Sequence, residues 1–114
     1  MNVPSSSDYI EYLLDQLQLI GPVVSKPMFG SHGFFLDGLM FAIVIDDVLY
    51  LKVDDQSQKE FVALGLAPFR YPRGEKQISL GYYQAPDEVI DDGDALREWA
   101  NRAFLAALQK RSIR

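Results

Sequence analysis

Residues 34–53, which read FFLDGLMFAIVIDDVLYLKV, decide the fold of this chain. Three apolar runs are separated by two short polar pairs, Asp37-Gly38 and Asp46-Asp47. An Asp-Gly pair between apolar runs is a strong signal for a β-hairpin, because glycine adopts the positive φ of a type I′ turn without strain. The pair of aspartates is a less ideal version of the same turn. The stretch therefore predicts a three-stranded antiparallel meander.

The rest of the chain predicts helices around this meander and a second pair of strands. An apolar stripe of helical period predicts a first helix over about residues 7–19, ended by Gly21-Pro22. The remaining predicted elements are an extended run from Val23, a helix over 56–64 capped by Asp54 or Asp55, strands at 69–71 and 77–83, a helical turn from Pro86, and a helix from Asp92 or Asp94 to about Lys110. This order predicts an α+β domain of α-β3-α-β2-α type, in which helices form one layer and an antiparallel sheet the other.

The two turns also predict which side chains share a face of the sheet, because side chains alternate along a strand. The set assigned to the helix-covered core is Phe35, Met40, Ala42, Val44, Leu49, Leu51 and Val53. The opposite set is Phe34, Phe41, Ile43, Val48, Tyr50 and Lys52, with His32 at its edge and Phe34 facing Phe41. A solvated face would alternate to polar residues. We therefore expect the second set to be covered by a helix of the same chain, by the other hairpin or by a partner, and the helix is the favoured interpretation.

Composition excludes several classes of protein. The 114 residues are 48% apolar, with 11 basic and 16 acidic side chains, no cysteine and one histidine. A chain of this length and composition predicts one domain over residues 1–114. The absence of cysteine excludes disulfides and zinc-thiolate sites, and we expect neither a metal nor a cofactor. The net charge of −5 opposes binding to duplex DNA. With no apolar run long enough for a membrane span, we expect a cytoplasmic protein.

Two stretches carry candidate chemistry. Lys26 to Gly33 reads KPMFGSHG, and its backbone amides with Lys26 suggest a small anion-binding loop. A bulged bend that enters the hairpin is the favoured interpretation, because the stretch matches no phosphate-binding motif.

Ser31 and His32 suggest a hydrolytic pair, but adjacent residues on a strand point apart. The bases Arg70, Arg73 and Lys76 make only a weak patch, and helix capping accounts for the acids between Asp87 and Asp94.

Seven motifs in order resemble the N-terminal domain of the TfoX/Sxy competence regulators over about residues 8–110. They are Lys26-x-Met28-Phe29-Gly30, Gly33-Phe34-Phe35, Asp37 to Ala42, Asp46-Asp47-x-Leu49-Tyr50-Leu51-Lys52-Val53, Gly65-Leu66-x-Pro68-Phe69, Tyr82-Tyr83-x-x-Pro86-x-x-Val89 and Ala95-Leu96-x-x-Trp99. Family members usually have Arg at the position of Lys26. The resemblance implies a two-layer fold similar in outline to secretion chaperones. The two-domain bacterial members of this family regulate genes for DNA uptake together with the cyclic-AMP receptor protein, so the resemblance implies a regulatory role and no enzymatic activity.

These lines lead to one functional expectation and one alternative. We expect a non-enzymatic regulatory or protein-interaction domain, whose partner is a protein: transcription machinery by resemblance, or a second copy in a homodimer. The alternative is a small-ligand or anion-binding domain, or an enzyme of unknown reaction, in which Lys26, the Gly30–Gly33 bend, Tyr50 and Lys52 converge on a cavity. The candidate interaction or ligand residues are Lys26, Phe29, Gly30, Phe34, Phe41, Tyr50 and Lys52.

Overall fold

The computed structural model describes residues 7–28, 31–73 and 75–112. Its elements are α1 (Ser7–Leu17), a 3₁₀ turn (Gln18–Ile20), β1 (Val24–Met28), β2 (Ser31–Leu36), β3 (Leu39–Ile45), β4 (Val48–Lys52), α2 (Asp55–Ala63), β5 (Pro68–Arg73), β6 (Lys76–Gln84), α3 (Asp87–Ile90) and α4 (Gly93–Ser112). The predicted α+β class is confirmed. The extended run predicted from Val23 is the strand β1, so the meander belongs to a four-stranded unit.

All six strands form one antiparallel sheet in the order β1-β2-β3-β4-β6-β5. The two edge strands are therefore β1 and β5. Both contain proline: Pro27 in β1, and Pro68 and Pro72 in β5. Proline lacks an amide hydrogen, and within sheets it is found mainly at edges, where the missing donor breaks no central ladder.

The two hairpin turns of the meander have the predicted length. Asp37 and Gly38 have φ values of 53° and 80°, and Asp46 and Asp47 have φ values of 53° and 58°. These are the left-handed conformations that two-residue turns need. Leu36 pairs with Leu39, and Ile45 pairs with Val48, directly beside the turns.

A β-bulge in the first hairpin makes the prediction of its faces wrong. Phe35 pairs with Met40, but the register then shifts, so Phe34 pairs with Ala42 rather than with Phe41. A bulge places two residues of one strand opposite one of the other and interrupts the alternation. Phe34 and Phe41 are consequently fully buried in the core beneath the helices, together with Ala42. Phe35 and Met40, predicted for that core, do not belong to its buried set.

The helices pack on one face of the sheet and form the main core with it. The buried helix residues are Ile10, Leu13 and Leu17 of α1, Phe61 of α2, Val89 of α3, and Leu96, Ala100, Ala103, Ala106 and Ala107 of α4. The helix α4 packs on β3 and β4, and its Phe104 meets Phe41 edge to face, with ring centroids 6.3 Å apart. The small residues of α4 let this helix lie close to the strands, which positions the whole helical layer.

The start of α2 has the predicted cap. The Asp54 carboxylate accepts a hydrogen bond of 2.8 Å from the Ser57 amide, and the Asp54 amide donates one of 3.0 Å to the Ser57 hydroxyl. This reciprocal pair satisfies two backbone donors that the first helical turn leaves without partners. Gly65, with φ of 75°, follows the end of the helix. The cap therefore fixes where β4 ends and the helical layer resumes.

Candidate functional site

The face of the sheet turned away from the helical core, which we call the outer face, is built from two rows of cross-strand neighbours. The strand register gives a first row of Lys26, Gly33, Ile43, Tyr50 and Gln84. It gives a second row of Val24, Phe35 and Met40 on β1 to β3, with Lys52 and Tyr82 on β4 and β6. Four of the residues predicted for this face, Ile43, Val48, Tyr50 and Lys52, therefore lie on it.

The last hairpin supplies part of the cover of the outer face. Ile43, Phe69 and Tyr82 are buried in a second apolar cluster, against which Met40, Ile45 and Tyr50 pack. The rings of Tyr50 and Phe69 meet edge to face at 5.3 Å. Among the described residues, no helix contributes to this cluster. The expectation that a helix covers the face is therefore wrong, and strands β5 and β6 provide the residues instead.

Two lysines on the outer face each lie over an aromatic ring. The Lys26 ammonium is 5.0 Å from the centroid of Phe35, and the Lys52 ammonium is 5.0 Å from the centroid of Tyr82. Such contacts hold a cation by the negative face of the ring. Burial, and secondarily the nearby Lys110, lowers the pKa of Lys52 below its ordinary value. Lys26 is exposed and Lys52 is half-buried.

Tyr82 connects three strands of the outer face. Its hydroxyl donates a hydrogen bond of 2.9 Å to the Met40 carbonyl on β3, so the side chain reaches across β4. Burial raises the pKa of the Tyr82 phenol well above its ordinary value. Burial and then Asp46 also raise the pKa of Tyr50. Both phenols are consequently neutral near pH 7, and the Tyr82 hydroxyl is a donor.

Charge is segregated between the two layers. Within the bounds given above, the six strands contain five bases and no Asp or Glu: Lys26, Lys52, Arg70, Arg73 and Lys76. All 16 acids of the chain lie in helices, turns and other connections, and the remaining six of the 11 bases are also outside the strand bounds. The formal charge is therefore +5 on the strands and −10 on the rest of the chain, a division that the overall value of −5 conceals.

Comparison with known proteins adds the family. The model of the TfoX N-terminal domain matches residues 15–107. The chain belongs to this family. Protein Sxy of Escherichia coli (strain K12) is 26% identical over 99 residues, which are 87% of this chain and 43% of that protein. The chain thus spans less than half the length of this relative. The matched range contains both rows of the outer face, so a competence-regulator-like domain carries the surface described above.

The TfoX N-terminal domain does not bring all the predicted site residues together. Phe34 and Phe41 are in the helix-side core, and Phe29 and Gly30 lie outside the described residues. Lys26 and Tyr50 share a row, but β2 and β3 lie between their strands. With strands about 4.8 Å apart, their backbones are separated by roughly 14 Å. They belong to one surface and do not converge on a cavity.

Ser31 and His32 do not form a catalytic pair in this domain. His32 pairs with Val44, whose side chain is in the helix-side core, and Ser31 precedes it on the same strand, so the two side chains leave opposite faces. The Ser31 hydroxyl and the His32 Nδ1 are both buried without a hydrogen-bond partner. Within the described ranges, no group of three or more His, Asp or Glu side chains is arranged to hold a metal ion.

A cleft with several polar side chains lies elsewhere, between the start of α2 and the last turns of α4. It has a volume of about 480 Å³ and is lined by Asp54, Asp55, Gln56, Ser57, Glu60, Arg102, Leu105, Gln109 and Lys110. The Arg102 guanidinium lies 2.5 Å from the Glu60 carboxylate and 5.1 Å from the Trp99 ring centroid. Arg102 and the Asp54 cap therefore already have partners within the helical layer.

Sequence reasoning missed four residues of the outer face. Phe35 and Met40 were assigned to the wrong face because the bulge was not predicted. Phe69 and Tyr82 were assigned to strands whose pairing with the meander was not predicted. Alternation along 82–85 was the available signal for Tyr82, since Tyr83 and Ala85 are buried on the helix side.

None of the helices in the described part of the chain is both long and apolar enough to cross a membrane.

Proposed function

We propose that this chain is a non-enzymatic regulatory domain that acts by binding another protein through its outer face, in the control of DNA-uptake competence. The observation that carries the proposal is the composition of that face. Its strands place the half-buried side chains of Ile45, Val48 and Tyr50 where a solvated face would present polar side chains at alternate positions. A face of apolar and aromatic residues rimmed by amines is typical of a surface that a partner completes.

The layout of the face favours a macromolecule over a small ligand. A small-molecule site surrounds its ligand with convergent polar groups. Lys26 and Tyr50 are instead spread along one row, roughly 14 Å apart at the backbone. The small-ligand alternative requires these groups to meet around one cavity, and the register of the sheet opposes that arrangement.

Family membership supports the regulatory part of the proposal. The matched family is named for a TfoX N-terminal domain, and the Escherichia coli relative Sxy extends well beyond the matched region. In Sxy the matched region is 43% of the protein, and a domain of this kind suits a role in recognition. The partner is accordingly a protein that takes part in the same regulation.

The test is site-specific photo-crosslinking in the native cell. Tyr50 is replaced by p-benzoylphenylalanine in one variant, and Tyr12, which is 36% exposed on α1, is replaced in a control. We expect a discrete protein adduct from position 50 that is absent from position 12. Excess unlabelled wild-type domain should suppress this adduct, whereas the K26E/K52E double variant should not. Adducts of equal yield from both positions, or no competition by the wild-type domain, would contradict the proposal.

A further inference from the structure

We infer that the outer face recognises an acidic protein segment, which places carboxylates on Lys26 and Lys52 and apolar side chains between them. The inference rests on the proposed function, because it names the partner of the same surface. It concerns the chemistry of the partner and leaves the identity of the protein open. Three observations carry it: the charge of the strands, the positions of the two amines, and the residues between them.

The charge of the sheet selects an anionic partner. The strands hold five bases and no carboxylate, so an acid that approaches the outer face meets no acid on the strands themselves. Among the described residues, Asp46 is close enough to raise the pKa of Tyr50, and it lies in the β3–β4 turn. Lys52 is at the opposite end of β4 from this turn. Charge complementarity of this kind governs which partners associate and in which orientation.

The two amines are held in place by their rings. Each ammonium is 5.0 Å from an aromatic centroid, Phe35 for Lys26 and Tyr82 for Lys52. The rings restrict long side chains that would otherwise lose conformational entropy on binding. A cation fixed on an apolar surface is also less screened than one in open water, so it interacts more strongly with a carboxylate. The partner therefore meets two ammonium groups, on β1 and β4, whose positions are already restricted before it binds.

The residues between the amines favour a protein over a nucleic acid. Met40 lies between Lys26 and Lys52. The rings of Phe35 and Tyr82 are already in contact with the two ammonium groups, and the ring of Tyr50 packs against Phe69, so these rings do not form the open stacking platform that single-stranded nucleic acid uses. The rest of the chain carries a formal charge of −10, which repels a phosphate backbone that extends beyond the face. A short acidic segment with apolar side chains fits inside these limits.

The experiment measures binding of defined probes by fluorescence anisotropy, at low salt and again at salt high enough to screen surface charges. The main probe is a labelled twelve-residue peptide of six Glu, three Leu and three Ser. Its matched control has Gln in place of every Glu, and an oligo-dT of twelve nucleotides tests the nucleic-acid alternative. The protein variants are K26Q/K52Q on the outer face and K59Q/R97Q on the helical layer. Denaturant unfolding of each variant establishes that it is folded.

We expect the acidic peptide to bind and the Gln peptide to bind at least about tenfold more weakly, with the difference reduced by salt. The K26Q/K52Q variant should lose about tenfold in affinity, and K59Q/R97Q should retain the wild-type affinity. Equal binding of the two peptides, an equal effect of the two double variants, or tighter binding of oligo-dT through Lys26 and Lys52 would overturn the inference. A crosslinked partner at position 50 together with any of these results would leave the proposed function intact. No specific crosslink at position 50 would instead refute the proposed function.

Discussion

The ammonium of Lys52 lies 5.0 Å from the centroid of the Tyr82 ring, and the two residues are direct cross-strand neighbours on β4 and β6. The same tyrosine donates its hydroxyl hydrogen to the Met40 carbonyl on β3. One ring therefore positions a cation of the outer face and connects the last hairpin to the meander. Its hydroxyl and its burial give two separable predictions.

Replacing Tyr82 with Phe should destabilise the domain by about 1 kcal/mol at pH 7, because the Met40 carbonyl loses its 2.9 Å donor while the ring is kept. Urea unfolding measures the change in the free energy of unfolding. Tyr12→Phe is a matched control, since its hydroxyl donates to the Ile90 carbonyl from an exposed position and should contribute less. A loss for Tyr82→Phe no larger than that for Tyr12→Phe would contradict the prediction.

The stabilities of the wild type and of Tyr82→Phe should respond differently to alkaline pH. Burial raises the folded-state pKa of Tyr82 above its ordinary value of 10.0. The unfolded chain therefore releases this proton first, so the contribution of Tyr82 is fully present below pH 10 and is lost as the pH rises further. The stability difference between wild type and Tyr82→Phe should shrink above pH 10. Urea unfolding at pH 7 and pH 10.5 compares the two, and a difference that grows with pH would show that the phenol ionises readily in the folded protein.

The bulge predicts unequal costs for two phenylalanines of the first hairpin. Phe41 is fully buried against Phe104, so Phe41→Ala should cost roughly 3–5 kcal/mol through lost burial and a residual cavity. Phe35 is half-buried on the outer face, so Phe35→Ala should cost about half as much or less. Guanidinium unfolding gives both values. A larger loss of stability for Phe35→Ala than for Phe41→Ala would contradict the bulged register, because it would place Phe35 rather than Phe41 in the core.

The second turn stores backbone strain, because Asp46 and Asp47 both have positive φ. A residue with a Cβ atom in this region costs about 1 kcal/mol more than glycine. Asp47→Gly and Asp47→Ala remove the same carboxylate, so the difference between them isolates the backbone. We expect the Gly variant to be about 1 kcal/mol more stable than the Ala variant in thermal or urea unfolding. Equal stabilities would mean that the turn relaxes without strain.

Removing the cap of α2 should cost about 1 kcal/mol, because Asp54→Ala leaves the Ser57 amide without its acceptor. That hydrogen bond is the main cause that lowers the pKa of Asp54 below 3.8. The stabilisation that the Asp54 carboxylate provides is therefore present above pH 3.8 and is lost as the pH falls through the folded-state pKa. The gap between wild type and variant should close in acid. Asp55→Ala, one residue later and exposed, is the control and should show a smaller gap at neutral pH.

Local signals in the sequence predict much of this fold. Asp37-Gly38 and Asp46-Asp47 mark both turns, and the observed pairs beside them agree with two-residue loops. Asp54 caps α2, and Gly65 follows its end, as expected from their positions after and before apolar runs. These features depend on a few neighbouring residues, which is why a single sequence is sufficient to predict them.

The candidate site was harder to predict because it depends on non-local pairing. The bulge at Phe41 moves two phenylalanines into the core, and no turn residue signals it. The pairing of β4 with β6 brings Tyr82 beside Lys52, although 30 positions separate them in the chain. Gly81, with φ of 77°, precedes Tyr82 and offers the only local sign of an irregularity in β6 among the described residues of that strand. A long-range contact of this kind is fixed by packing of the complete sheet.

Proline in both edge strands limits how copies of the domain associate. Addition of a strand to β1 or β5 would place Pro27 or Pro68 in a new ladder without an amide hydrogen to donate. These prolines therefore oppose the association of many copies through their sheet edges, even though most residues of the meander are apolar. The sequence of the two outermost strands thus disfavours fibril growth at both margins of the sheet.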